Sequence, residues 1–417
     1  MDTLAIVSLI CLIAAIALGF FFKVNIGIIA VGAALVLGKL SGIEDGTILK
    51  YFNSTLFMRL LGVLLLFSIA QANGTIEKLT RRAVYSMRKI PRLIPILIFI
   101  ISALLGGVAG SIPILALMAT ITAALARQMN VHPIKLAPFE VFGAIAGAVT
   151  PVSMSGVLIE SLAVDAGLPF SYLPSYLTSV LCNFVPCLAC FFLFQWHTHK
   201  SIPGFEGMKP EKLDRPQLIT LFGIILMIAM TVFFGIDVGL ASIFCSVLLL
   251  FLRVSDEKAS LNGVPWGTLV MISGMGILIS MVDDLHGIDL IANFLEGFLT
   301  PALAPVVYVL LSGVMSLVSS AQGVVMPSLT PTIPGFVAAF RSVSPEVMVM
   351  AILTGSACTT ISPFSTGGAL VLGAYSSICD PTPKERDKMF LYLIFVALIW
   401  LVALAVLSGF GFLHIFF

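Results

Sequence analysis

The chain has 417 residues, 59% of them hydrophobic and 10% charged, with 22 Lys and Arg against 21 Asp and Glu. A soluble domain of this length needs far more charge to keep its surface in water, and a net charge of +1 excludes the basic field by which proteins gather on nucleic acid. What remains is an all-α polytopic membrane protein whose first partner is the lipid bilayer, because its apolar stretches are near the 20 residues that cross a hydrocarbon core of about 30 Å.

In chain order, spans are expected at 3–22, 24–39, 56–72, 93–127, 136–165, 172–195, 217–234, 236–252, 268–284, 303–340, 346–375 and 389–415. The first run, Leu4 to Phe22, lacks a basic n-region and a small-residue cleavage site, so it reads as a retained span. The segments 93–127, 136–165, 303–340 and 346–375 are too long for one crossing and are interrupted by Gly, Pro and Ser. Backbone that leaves a helix at membrane depth must find partners in protein or in a water-filled cavity. We therefore read 93–127 and 303–340 as re-entrant hairpins and 136–165 and 346–375 as discontinuous helices. Cys187 and Cys190 form a CxxC inside the span SVLCNFVPCLACFFLF with no second ligand pair nearby, which points to packing.

Basic residues set the orientation. The loop 73–92 holds Lys78, Arg81, Arg82, Arg88, Lys89 and Arg92, and the linker 196–215 holds Lys200, Lys209, Lys212 and Arg215. With both on the cytoplasmic side, eighteen of the 22 Lys and Arg fall there, and Lys39, Lys50, Arg59 and Arg341 do not. Both termini are then expected outside, on the periplasmic face of a cell inner membrane.

The two halves repeat. TLFMRLLGVLLLFSIAQANGTI from Thr55 aligns with TLVMISGMGILISMVDDLHGID from Thr268, and FGAIAGAVTPVSMSGVL aligns with TGSACTTISPFSTGGAL at almost the same offset. By the charge count Thr55 and Thr268 enter from opposite sides, so the halves have inverted topology, an architecture of secondary transporters. The division is 1–195 for the first repeat, 196–215 for a cytoplasmic linker, and 216–417 for the second repeat.

The chemistry is expected at the two breaks, TPVSMSG at Thr150 to Gly156 and SPFSTGG at Ser362 to Gly368. Proline removes a donor and breaks the preceding turn. The restarting half-helix presents free N–H groups and a positive dipole end at membrane depth, where a carboxylate binds without Arg or Lys. Ser153 and Ser365 are equivalents in this alignment, and replacing either by Ala is expected to impair transport. Upstream, GGVAGSIP at Gly106 and SSAQGVVMP at Ser319 interrupt the hairpins, and their hydroxyl and carbonyl oxygens suit a sodium ion.

Taken together, FSIAQANGTIEKL, SALLGGVAGSIPILALM and above all TTISPFSTGGAL resemble the malonate/dicarboxylate carriers of the MatC type, in the wider ion transporter superfamily with the divalent-anion:sodium symporters. The resemblance spans nearly the whole chain. It implies an elevator mechanism, a small carboxylate substrate of three to six carbons such as malonate or succinate, sodium as coupling ion, and a homodimer. Scaffold helices would lie in 3–72 and 217–284, with the hairpins and broken helices in the moving part. Substrate contacts carried over by motif are Gly110, Ser111, Thr150, Pro151, Ser153, Ser155, Ser319, Ser320, Gln322, Ser362, Pro363, Ser365 and Thr366, with sodium at Ser111, Thr150, Ser320 and Ser362. No other cofactor is implied. The symporters' Ser-Asn-Thr hairpin signature is absent, the tips being Gly-Ser and Ser-Ala-Gln.

Among ionisable residues, Arg59 is one turn inside its span and is expected to snorkel to the outer interface. Glu140 and Glu160 flank the first break as candidate proton carriers, and Asp283 and Asp284 are expected to be a solvated cap. Other readings are an inorganic-ion carrier or sodium/proton exchanger, which would want an acidic residue inside a break, a channel, or a membrane enzyme. The enzyme would need a nucleophile–base pair or metal cluster at membrane depth, whereas His occurs only at 132, 197, 199, 286 and 414, and His197 and His199 lack further ligands.

Overall fold

The computed structural model describes residues 2–86, 91–196, 212–296, 300–340 and 343–417. Arg88, Lys89, His197, His199, Lys200, Lys209 and Arg341, and most of the linker 196–215, lie outside the described residues.

All regular structure among the described residues is helical. The first half runs α1 (Asp2–Phe22), α2 (Ile26–Ser41), α3 (Asp45–Lys50), α4 (Ser54–Ala72), α5 (Thr75–Ser86), α6 (Ile94–Ala109), α7 (Ser111–Gln128), α8 (Ala137–Gly147), α9 (Met154–Asp165) and α10 (Tyr172–Leu193). The second runs α11 (Arg215–Phe234), α12 (Val238–Phe251), α13 (Glu257–Asn262), α14 (Trp266–Asp284), α15 (Gly287–Glu296) and α16 (Ala304–Val318). It continues through a π turn at Ala321–Val325 into α17 (Met326–Leu329), α18 (Ile333–Ala339), α19 (Pro345–Cys358), α20 (Thr366–Cys379) and α21 (Pro383–Gly409). Helix for helix the halves correspond, with the return arm α7 replaced by the π turn, α17 and α18.

Local chemistry sets the ends. Asn25 caps α2 through Gly27 N–H, and Asp237, its equivalent, caps α12 through the N–H groups of Gly239 and Leu240. Capping boxes start α11 (Asp214 with Gln217) and α21 (Thr382 with Glu385). Among the described residues seven helices, including α1, α4, α14 and α21, are long and apolar enough to cross a membrane. Bulky side chains such as Phe233 and Phe410, more than 80% exposed, mark faces that only hydrocarbon would satisfy.

The halves interlock. A Cβ on Gly62 of α4 would fall 2.3 Å from the Gly239 carbonyl of α12, and one on Gly27 of α2 would fall 2.3 Å from the Val270 carbonyl of α14. These close crossings pair each repeat's helix with one from the other, and small residues permit them. The repeats run in opposite directions. Near the start of α4, Tyr51 donates to Asp284 at the end of α14, while near the end of α4, Ser68 donates to the Ser260 carbonyl just before α14 begins. The Ser68 end also carries the Lys78–Asp214 ion pair at 2.8 Å, which puts the two basic segments on one side.

Candidate functional site

Both interrupted pairs are explained by parallel helices. Gly143 of α8 lies against Phe99 of α6, Gly147 against Ala103, and Thr150 Oγ1 donates to the Gly107 carbonyl at 2.5 Å. Since α6 and α8 run the same way, α7 must return between them, so α6 and α7 form a re-entrant hairpin that turns at Gly110 (φ +81°), a conformation L side chains rarely adopt. The second repeat does the same: Ser312 and Ser316 of α16 donate to the Ala351 and Ser356 carbonyls of α19, and Ser362 to the Leu317 carbonyl. The hairpins enter from opposite sides, because α6 follows the Lys78 end and α16 the Asp284 end.

The tips and breaks meet in a cavity of about 60 Å³ lined by Ser111, Ser155, Ser320, Gln322, Ser365 and Thr366 among others. Three helices begin there: α7 at Ser111, α9 beside Ser155 and α20 at Thr366. Their positive dipole ends point at one volume. Gln322 crosses the repeats, donating from Nε2 to Ser155 Oγ at 2.5 Å and to Ser111 Oγ at 3.4 Å. Among the described residues no Lys, Arg, Asp or Glu lines this cavity. Such an arrangement suits an anion held by hydroxyls, an amide and peptide dipoles, with no fixed charge to neutralise.

The remaining residues singled out in the sequence have different surroundings. Ser153 is buried, donates to the Ala148 carbonyl and accepts from Gly156 N–H at 3.2 Å, so its hydroxyl caps α9. Thr150 and Ser362 tie each break to the hairpin of its own repeat. Ser319 donates to the Met315 carbonyl at 2.6 Å, one turn back on α16. Gly110 is the first hairpin's turn, and Pro151 and Pro363 sit within the breaks. Ser356 and Thr360, also lining the cavity, were missed. Both precede the SPFSTGG motif by only a few positions, but polar residues within an apolar run carry no mark of which way they face.

Outside the cavity, the expectation that Arg59 snorkels is corrected. Its Nε lies 2.6 Å from Asp237 at the start of α12 and its Nη1 3.6 Å from Glu160 of α9, which also accepts from Tyr172 at 3.0 Å. A guanidinium needs matched partners when half-buried, and two carboxylates from different elements supply them. Glu140 is fully buried between α7 and α8, with the Thr122 hydroxyl as its hydrogen-bond donor. Asp284 is held by Tyr51, whose phenol is pushed up to about 12 by burial and by that bond, while Asp283 lines a cavity of about 350 Å³ together with Tyr51, Asn53, Asp165 and Asp289. Cys187 is buried against the Pro138 carbonyl. His132, between α7 and α8, has its pKa lowered mainly by burial, with Lys135 and Lys388 adding and Glu385 opposing.

Comparison with known proteins points to a transporter. The family model described as a citrate transporter (CitMHS) matches residues 9–355. No curated protein matches. Among solved structures, the crystal structure of the YdaH transporter from Alcanivorax borkumensis, reported to have an unusual topology, is similar with a TM-score of 0.59 at 14% identity, over 88% of each chain. That likeness is one of fold. The family match names citrate transporters in place of the narrower MatC-type carriers that the motifs resemble.

Proposed function

This chain belongs to the citrate transporter family, and from that premise we propose that the cargo of this secondary transporter is a small di- or tricarboxylate of three to six carbons, citrate, succinate and malonate being the first to try. One observation carries the reading: three helix N-termini and the Gln322–Ser155–Ser111 bridge surround a cavity that, among the described residues, no charged side chain lines. A hydrogen bond to a charged group contributes about 1.5–3 kcal/mol, so four or five of them hold a carboxylate firmly while leaving no buried cation to trap it. A carrier needs that reversibility.

Sodium is the proposed coupling ion, beside each break. Thr150 and Ser362 set hydroxyl oxygens against the backbone carbonyls of Gly107 and Leu317, and Ser111 and Ser320 add hydroxyls lining the cavity, hard oxygen donors of the kind that small cations prefer. A proton is the second candidate, favoured by the burial of Glu140 without a cationic partner among its described contacts. Movement is proposed to be of the elevator kind, with α1–α4 and α11–α14 as scaffold. The glycine crossings of α4 with α12 and α2 with α14 support a frame that stays rigid while the hairpins and broken helices shift.

The test is uptake of labelled citrate, succinate and malonate into proteoliposomes under imposed sodium or proton gradients. Saturable uptake with counterflow is expected, driven by one of the two gradients. Absence of saturable uptake for every carboxylate overturns the proposal, and non-saturating flux would make the protein a channel.

A further inference from the structure

Two larger cavities flank the site, and they differ in what they reach. The one beside Tyr51, Asn53, Asp165, Asp283 and Asp289 shares no residue with the cavity between the tips. The other, of about 370 Å³, shares Ser320, Ser365 and Thr366 with it and extends past Phe364 to the turn between α1 and α2, ending at Phe20, Lys23 and Asn25. In this conformation the larger space that borders the site lies on the Lys23 side.

Lys23 is the one charged side chain lining that passage among the described residues. It is held in place. Its backbone is left-handed (φ +58°), its ammonium lies 4.8 Å from the centre of the Phe20 ring, and the neighbouring Asn25 donates to the Gly267 carbonyl of α14 at 2.7 Å. The equivalent position in the second repeat is Gly235, so the cation belongs to one half only. The face opposite presents carboxylates instead.

We propose that Lys23 is an anion-receiving residue at the mouth of this passage, meeting a carboxylate of the substrate as it passes between water and the cavity that Ser320, Ser365 and Thr366 line. The inference rests on the carboxylate reading above. A positive charge at the exposed mouth of a passage raises the local concentration of an anion there, an effect that weakens with salt. Its effect falls on substrate applied from this side alone.

The experiment compares right-side-out and inverted vesicles containing wild-type protein, Lys23→Gln or Lys23→Arg, using whichever carboxylate the wild type carries. If the wild type carries none, the carboxylate reading fails before Lys23 is tested. Given wild-type uptake, Lys23→Gln is expected to raise KM about three- to tenfold from the Lys23 side with kcat unchanged, to leave KM from the other side alone, and to lose the wild type's dependence on ionic strength. Lys23→Arg is expected to restore the wild-type KM. An unchanged KM in Lys23→Gln, or an equal change from both sides, overturns the proposal and leaves Lys23 as an orienting charge only.

Discussion

The two broken helices are equivalent in sequence and unequal in structure. In the first break the Gly156 N–H is taken by the Ser153 hydroxyl, which also donates to the Ala148 carbonyl. In the second the equivalent Gly368 N–H is taken by the Thr360 carbonyl at 3.0 Å, and the Ser365 hydroxyl makes no capping bond. A backbone oxygen thus does in one repeat what a side chain does in the other, and Ser365 is left facing the cavity. Inverted symmetry supplies the frame, and a single exchanged hydrogen bond separates a serine that caps its helix from one whose hydroxyl is left to the cavity.

The largest test of that division puts charge between the breaks. Gln322→Glu sets a carboxylate against the arriving anion, and like-charge juxtaposition costs several kcal/mol; uptake in proteoliposomes is expected to fall by about 100-fold or more, while Gln322→Asn retains part of it. Next, Ser365→Ala removes a hydroxyl expected to bond the substrate. From about 1.5–3 kcal/mol for such a bond, KM rises roughly tenfold to 100-fold with the melting temperature unchanged. Ser153→Ala should show the reverse pattern, losing about 1–2 kcal/mol of stability as a lost N-cap does, seen as a lower melting temperature in detergent, with the smaller effect on KM. Equal KM effects at both serines would erase the distinction.

The smallest effect concerns another unequal pair. Ser344 caps α19, and His132 occupies the equivalent place before α8, accepting from Ile134 N–H. Its folded pKa lies below the ordinary 6.5, chiefly through burial, so the unfolded chain takes up the proton first. Stability is then intact above about pH 6.5 and declines as pH falls through that value toward the folded pKa. Thermal melts between pH 5.5 and 7.5 are expected to show this slope in the wild type and lose part of it in His132→Asn. An unchanged slope would remove His132 as its source.

Much of the architecture was legible in the residues. The interrupted spans coincide with α6–α7, α8–α9, α16–α18 and α19–α20, because apolar length and the placing of Pro and Gly act locally and survive whatever packs around them. The repeat was readable for the same reason. Arg59 was misjudged because its partner Asp237 lies 178 positions away, and nothing local marks a residue as paired rather than snorkelling.

Hydrophobic run lengths, the points where helices must stop, and the kinship of the halves are thus properties of the chain read in order, since each depends on neighbours within a turn or two. Which hydroxyls are free, which side opens to the cavity, and the reach of Gln322 to Ser155 and Ser111 across 167 and 211 positions were decided by tertiary packing. Hydrogen-bond partners within the bilayer are exchanged between backbone and side chain wherever geometry allows, and only the folded arrangement fixes which oxygen is left for the substrate.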